Sequence, residues 1–241
     1  MPLYNWDKAG YENAYNIGAE PDGHPADRPE VRLGYHRAVL LPYAQNLATN
    51  LYRVLNWTSS TRLVIVGSGF GWTVECLRFM GMTNVIGVDT SPWVQANKTL
   101  NDESEIDEAI TKTGLSPSSE QGQAIKAKLV PMTGGGPRSK VAADILNEDV
   151  SSAPARARVR QRIGGQPTFE VLTESVIESL TDSEVQAASG FIHQLTSGRV
   201  SHLFFPRDDG NFLPLNWKTT QEWKALVPAD TFVNVQTWEV L

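Results

Sequence analysis

A single cysteine, Cys76, in 241 residues leaves no internal disulfide to form, which fits a reducing compartment. No apolar run approaches the roughly 18 residues that a membrane helix needs, and no secretory leader opens the chain. The expectation is a cytoplasmic protein with no membrane partner. Positive charge is also in short supply: 21 Lys and Arg stand against 27 Asp and Glu, a formal net charge of −6. Such a balance argues against tight, sequence-indifferent binding to nucleic acid, which needs many contacts to phosphates, although a local basic patch stays open. The four histidines, His24, His36, His193 and His202, do not cluster at metal-ligand spacing, so no metal is expected. Internal repeats and low-complexity tracts are absent. What remains is a chain with 41% hydrophobic residues, enough to bury one full core.

The stretch over residues 63–89, LVIVGSGFGWTVECLRFMGMTNVIGVD, organises the rest. Leu63, Val64, Ile65 and Val66 form an apolar run suited to a strand buried on both faces, as in a parallel sheet. The run stops at three alternating glycines, Gly67, Gly69 and Gly71, which let a turn pass close to a ligand and enter a helix with its free N–H groups facing it. A second apolar run, residues 85–88, ends on Asp89, 22 residues after Gly67, where an acid can accept hydrogen bonds from ribose hydroxyls. Ser91 and Pro92 are a good N-cap and first helical residue, so another helix starts just beyond the acid.

Around this core the chain reads as one α/β domain over 42–241, preceded by an arm over 1–41 and carrying a helical insertion at about 101–140. The arm holds Tyr4, Trp6, Tyr11 and Tyr15, which suit either a surface-packed segment or a lid over a ligand. Apolar positions at helical spacing predict a helix over 42–55. The triple glycine at 134–136 reads as a linker, since no strand feeds it and no Lys-Ser/Thr pair follows. Residues 141–149 predict a third strand ending in Glu148 and Asp149, acids that either line a ligand crevice or cap the next helix. Arg156, Arg158, Arg160 and Arg162 spread around a helix over 152–163, predicted to pair with the protein's own carboxylates. A fourth strand at 169–172 runs into Thr173 and Glu174. A capping box at 181–184 opens a helix, and residues 200–205 form a fifth strand. A helix over 218–226 precedes a last strand over 231–240, expected at an edge and antiparallel.

The order of elements and three motifs resemble the class I S-adenosylmethionine-dependent methyltransferase family. VIVGSGFGW resembles its glycine-rich first motif, GVDTSPWVQANK the segment after it, and FEVLTESVIESLTD the fourth-strand motif and following turn. The likeness covers about residues 62–206 and leaves 101–140 unmatched. It implies a Rossmann-like doubly wound α/β fold, a mostly parallel sheet with helices on both faces, and S-adenosylmethionine as cofactor. By this likeness Gly67, Ser68, Gly69, Phe70 and Gly71 would cradle the cofactor, Asp89 with Thr90 and Ser91 would hold its ribose, and Glu148, Asp149 and Glu174 would line the rest of the site. Ile65 stands where the family often has an acid, and Ser179 where many members have His.

The family has no universal catalytic residue, because an electron-rich nucleophile needs only to be placed in line with the methyl carbon. Glu174 is the best-placed residue to touch substrate or the methionine amine, a solvated turn carboxylate being the alternative. The Asp/Asn-Pro-Pro-aromatic motif of amino-methylating DNA enzymes is replaced by Thr173-Glu174-Ser175-Val176, and no Pro-Cys pair serves cytosine C5 attack. A DNA base is therefore not the expected acceptor, which leaves a small molecule, a protein side chain, a sugar or RNA. The compact size suits a phage or bacterial protein, acting in the host cytoplasm if phage-encoded. Two other readings remain: an NAD(P)-dependent oxidoreductase, against which Trp72 occupies the third glycine position of G-x-G-x-x-G, and a binding protein that keeps the fold without catalysis.

Overall fold

The structure is a computed structural model that describes residues 41–69, 71–91, 94–95, 107, 110–111, 114–129, 143–174, 176–204 and 218–241. The N-terminal arm at 1–40, Phe70, Pro92, the glycine linker and Phe205 lie outside the described residues.

Six strands form one sheet in the order β3-β2-β1-β4-β5-β6. In chain order the elements are α1 (Leu41–Val54), β1 (Leu63–Val66), α2 (Trp72–Phe79), β2 (Val85–Val88), α3 (Glu120–Leu129) and β3 (Ile145–Leu146). There follow α4 (Ala153–Arg162), β4 (Glu170–Glu174), a 3₁₀ turn (Ile177–Ser179), α5 (Asp182–Leu195), β5 (Val200–Phe204), α6 (Thr220–Leu226) and β6 (Thr231–Asn234). Every strand pair is parallel. The strand order reverses direction between β1 and β4, and open α/β sheets bind their ligands in the crevice at such a switch point.

Successive strand residues face opposite layers, and both layers are apolar. On one side Leu63, Ile65, Val85, Leu172 and Leu203 pack against α1 and α2 through Leu47, Leu51, Val74 and Leu77. On the other, Val64, Ile86, Val171 and Val200 meet Val159 and Ile163 of the α4 region and Ile192 and Leu195 of α5. A third cluster joins Phe204, Phe232 and Trp223 at the far edge. The helix of residue 42–55 spacing is thus α1, whose buried Ala44, Leu47, Ala48 and Leu51 alternate with exposed Gln45, Asn46 and Thr49.

The last strand corrects the sequence expectation. β6 runs parallel to β5, with Ser201 opposite Thr231 and Phe204 opposite Asn234. The crossover through α6 returns the chain to the same end of the sheet, which is what a parallel neighbour requires. The predicted ten-residue run breaks at Asn234, whose Oδ1 accepts from Gln236 N at 2.9 Å in an Asx turn. The chain then doubles back, and Val240 makes one antiparallel bridge to Val233. The antiparallel pairing exists, but it belongs to this short return and not to the strand.

Arg158 and Arg162 pair with the protein's own carboxylates, as expected, whereas Arg156 and Arg160 bond to uncharged groups of α5. Arg158 meets Glu148, Arg162 meets Asp144, and Arg156 donates to Gln194 Oε1 at 2.7 Å. Arg160 donates to Leu195 O at 2.8 Å, so the helix is tied to α5 and to the strand-end loops. Among the described residues no helix is long and apolar enough to cross a membrane.

Candidate functional site

The crevice at the carboxyl ends of β1 and β4 is built around the glycine turn. Gly67, Gly69 and Gly71 take φ of 75°, 52° and 76°, a region that other residues enter only at a cost. At Gly67 space is closed as well as conformation: a Cβ there would lie 2.2 Å from Val176 Cγ2 and 3.2 Å from Glu174 O. The turn therefore leans directly on the chain leaving β4. Gly71 is the N-cap of α2, whose first helical residue, Trp72, buries its ring in the cluster with α1.

The described amides of this turn are already engaged. Gly67 N donates to Val88 O at 2.9 Å and Ser68 N to the same oxygen at 3.3 Å, while Gly71 N donates to Ser68 O at 2.9 Å. Gly69 N donates to Asp89 Oδ2 at 2.9 Å, and Ser91 N to Asp89 Oδ1 at 2.8 Å. Asp89, 6% exposed, thus ties the glycine turn to the end of β2. Ser91 acts as the expected cap, its Oγ accepting from Val94 N at 3.4 Å, and Thr90 is exposed.

Glu174 closes the opposite wall. Its Oε1 accepts from Thr73 Oγ1 in the first turn of α2 at 2.8 Å, and its Oε2 is buried with no hydrogen-bond partner among the described residues. Burial of the carboxylate raises its pKa to about 7, with the Thr73 hydrogen bond opposing the shift. A carboxyl group that ionises near neutrality in a crevice is a marked functional candidate. The Ser68 hydroxyl, lodged over Gly87, is also buried and without a partner among the described residues.

Glu148 and Asp149 follow β3 at the same end of the sheet but are committed elsewhere. Arg158 grips Glu148 through Nε at 2.5 Å and Nη2 at 2.6 Å. Asp149 accepts from Ser151 N at 2.9 Å and Ser151 Oγ at 2.7 Å, at the entry to α4. Of the two readings open for these acids in the sequence, helix entry is the arrangement observed for Asp149.

Two features of the site region carried no local sequence signal. Thr73 meets Glu174 across 101 residues. His202, in the apolar run of β5, lies 2.8 Å from Thr173 Oγ1 and 2.7 Å from Asp230 Oδ2. The only hint was a histidine inside VSHLFF, where a buried ring needs partners. A cavity of about 510 Å³ lined by Arg78, Thr83, Asp144 and Arg162 sits at the amino ends of β2 and β3, away from this chemistry.

The Glu174 shift has a consequence for stability. A carboxyl whose folded pKa exceeds its unfolded value binds its proton more tightly when folded, so its contribution is complete below 4.5 and is lost as pH rises through 7. Glu174→Gln abolishes that dependence and, above pH 7, leaves the variant more stable than wild type by on the order of 2–3 kcal/mol. Urea unfolding at pH 5 and pH 8.5 checks this; an unchanged difference between the two pH values would remove Glu174 as a buried ionisable group.

Comparisons with family models, with curated proteins and with solved structures found no match.

Proposed function

We propose that this protein is an S-adenosylmethionine-dependent methyltransferase of the cytoplasm, acting on a small-molecule, protein or RNA acceptor. The observation that carries the reading is the charge of the crevice. The amides of Gly67, Ser68, Gly69 and Gly71 are spent on Val88, Asp89 and Ser68, and the first turn of α2 faces the Glu174 carboxylate. A dinucleotide needs that same helix end and those same amides for its pyrophosphate. Two carboxylates, Asp89 against the glycine turn and Glu174 against the first turn of α2, favour instead a nucleoside without phosphate and with positive charge. S-adenosylmethionine meets both conditions. Trp72 adds to the case against a dinucleotide, since its bulk stands where the third glycine of that fingerprint allows close helix packing.

The cofactor's sulfonium supplies an electrophilic methyl group. The chain's part is to hold and orient. Asp89, at the end of β2, would accept from the ribose diol, and Gly67 and Gly69 would let the adenosine approach the backbone. Glu174 Oε2, buried and lacking a donor, takes a hydrogen bond from an ammonium or amine, or a proton from the acceptor's N–H or O–H, because its pKa of about 7 leaves both forms populated at neutrality. The all-parallel order of the sheet is shared with dinucleotide-binding enzymes, so the oxidoreductase reading is the one to exclude by experiment.

Incubating the purified protein with methyl-labelled cofactor and a cell extract tests the activity and narrows the acceptor together. Label transferred to a protein, RNA or small-molecule fraction is the expected result, and no transfer above an extract-only control removes the catalytic reading. Asp89→Ala should eliminate transfer and loosen the glycine turn, because one substitution takes away the ribose acceptor and the partner of Gly69 N; transfer at the wild-type rate would show that Asp89 holds no cofactor.

A further inference from the structure

Behind the crevice, on the face of β4 opposite Glu174, runs a buried polar chain. Thr173 Oγ1 lies 2.8 Å from His202 Nδ1, His202 Nε2 lies 2.7 Å from Asp230 Oδ2, and Asp230 Oδ1 lies 2.5 Å from His193 Nε2 on α5. Thr173, His202 and Asp230 are 2%, 1% and 0% exposed, whereas His193 is exposed and ends the chain at the surface. Lys224 Nζ donates to the Asp230 carbonyl oxygen at 2.6 Å, and the Phe232 ring lies 5.1 Å from the His202 ring.

The proton positions follow from complementarity. Burial pushes the Asp230 pKa up, but hydrogen bonds from His202, Ser189 and His193, with the attraction of His202, outweigh it and hold the group below its ordinary value. Asp230 is therefore a carboxylate and only accepts. His202 Nε2 therefore carries the hydrogen toward it, and the Thr173 hydroxyl meets the other ring nitrogen, Nδ1. Filling the same space with apolar side chains would avoid the unfavourable burial of a charge, so the polar chain is not what core stability alone selects.

We propose that Thr173, His202 and Asp230 form a positioning triad that holds the end of β4, and with it Glu174, against the first turn of α2. Thr173 is paired with Val66 of β1 on one side and with His202 of β5 on the other, and its side chain is anchored across that second pair. The next residue, Glu174, projects to the opposite face toward Thr73. Freeing the Thr173 side chain lets the strand end move and water reach the carboxylate. The inference rests on the proposed function only in treating Glu174 as a site group, and its test needs no cofactor.

The reporter is the ¹³C titration of the Glu174 carboxyl in labelled protein, assigned with Glu174→Gln. Among the described residues burial and the Thr73 contact set its shift, so the midpoint reads those two; the titratable groups in and around the triad are His202, Asp230, His193 and Lys224. The wild type should titrate near 7. Thr173→Val, which removes one hydroxyl, should move the midpoint toward the ordinary 4.5, and Thr173→Ser should restore it. Asp230→Asn, which keeps the side-chain shape, tests the far end and should lower the midpoint too. A folded Thr173→Val protein with the wild-type midpoint overturns the proposal, as does a wild-type midpoint already in the ordinary carboxylate range. Failure of S-adenosylhomocysteine to bind would count against the function and leave this titration untouched.

Discussion

Gly67→Ala should cost roughly 2–4 kcal/mol of stability and remove ligand binding from what remains folded. Two penalties add at this position. The backbone sits at φ 75°, where a side chain crowds the following carbonyl. The added carbon would also stand 2.2 Å from Val176 Cγ2, on a β-branched side chain with few alternative rotamers. Relief requires the chain after Glu174 to retreat, which opens the wall of the crevice. Gly81, also at positive φ, has nothing within 4 Å of a built Cβ, so Gly81→Ala carries only the backbone cost and serves as the control. Denaturant midpoints for the two variants separate the effects. Equal losses would mean that the glycine turn does not lean on β4 as described.

Asp230→Ala is expected to destabilise the protein by about 3–5 kcal/mol at pH 7, the sum of several lost hydrogen bonds to a buried carboxylate and the cavity left behind. The substitution strands His202, removes a partner of His193 and Ser189, and leaves a cavity between the two histidines. Its pH dependence has a definite sign. A folded pKa below the ordinary 3.8 makes a contribution that is present above 3.8 and is lost as pH falls through the folded value. The wild type should therefore lose stability on strong acidification more steeply than the alanine variant. Equal stability of the two proteins at pH 7 would show that the buried carboxylate is not partnered as the hydrogen bonds indicate.

The parts of the fold legible in the sequence are those where one local signal decides the outcome. Leu63 to Val66 can be little but a buried parallel strand, and three alternating glycines can be little but a tight turn into a helix. Ser91 and the capping box at Thr181 and Glu184 mark helix starts through chemistry within three residues. The last strand was misread because its direction depends on the crossover before it, and its alternation continues through a turn that only Asn234 betrays. Among the described residues of its nine-residue segment, β3 is just Ile145 and Leu146. The site divides in the same manner. Asp89 and the glycines were readable from spacing. The Thr73–Glu174 contact spans 101 residues and the His202–Asp230 contact 28, and no periodicity encodes such pairs.

The proposed function requires a crevice that takes a cationic or neutral nucleoside and refuses a pyrophosphate. Thermal unfolding in the presence of S-adenosylhomocysteine or NAD tests it most directly, because a ligand that binds only the folded state raises the midpoint. At about one hundred times the dissociation constant the stabilisation is about 2.7 kcal/mol, a rise of roughly 5–10 °C for a domain of this size. The account predicts that rise with S-adenosylhomocysteine, its loss in Asp89→Ala, and no response to NAD. A rise with NAD alone would contradict it.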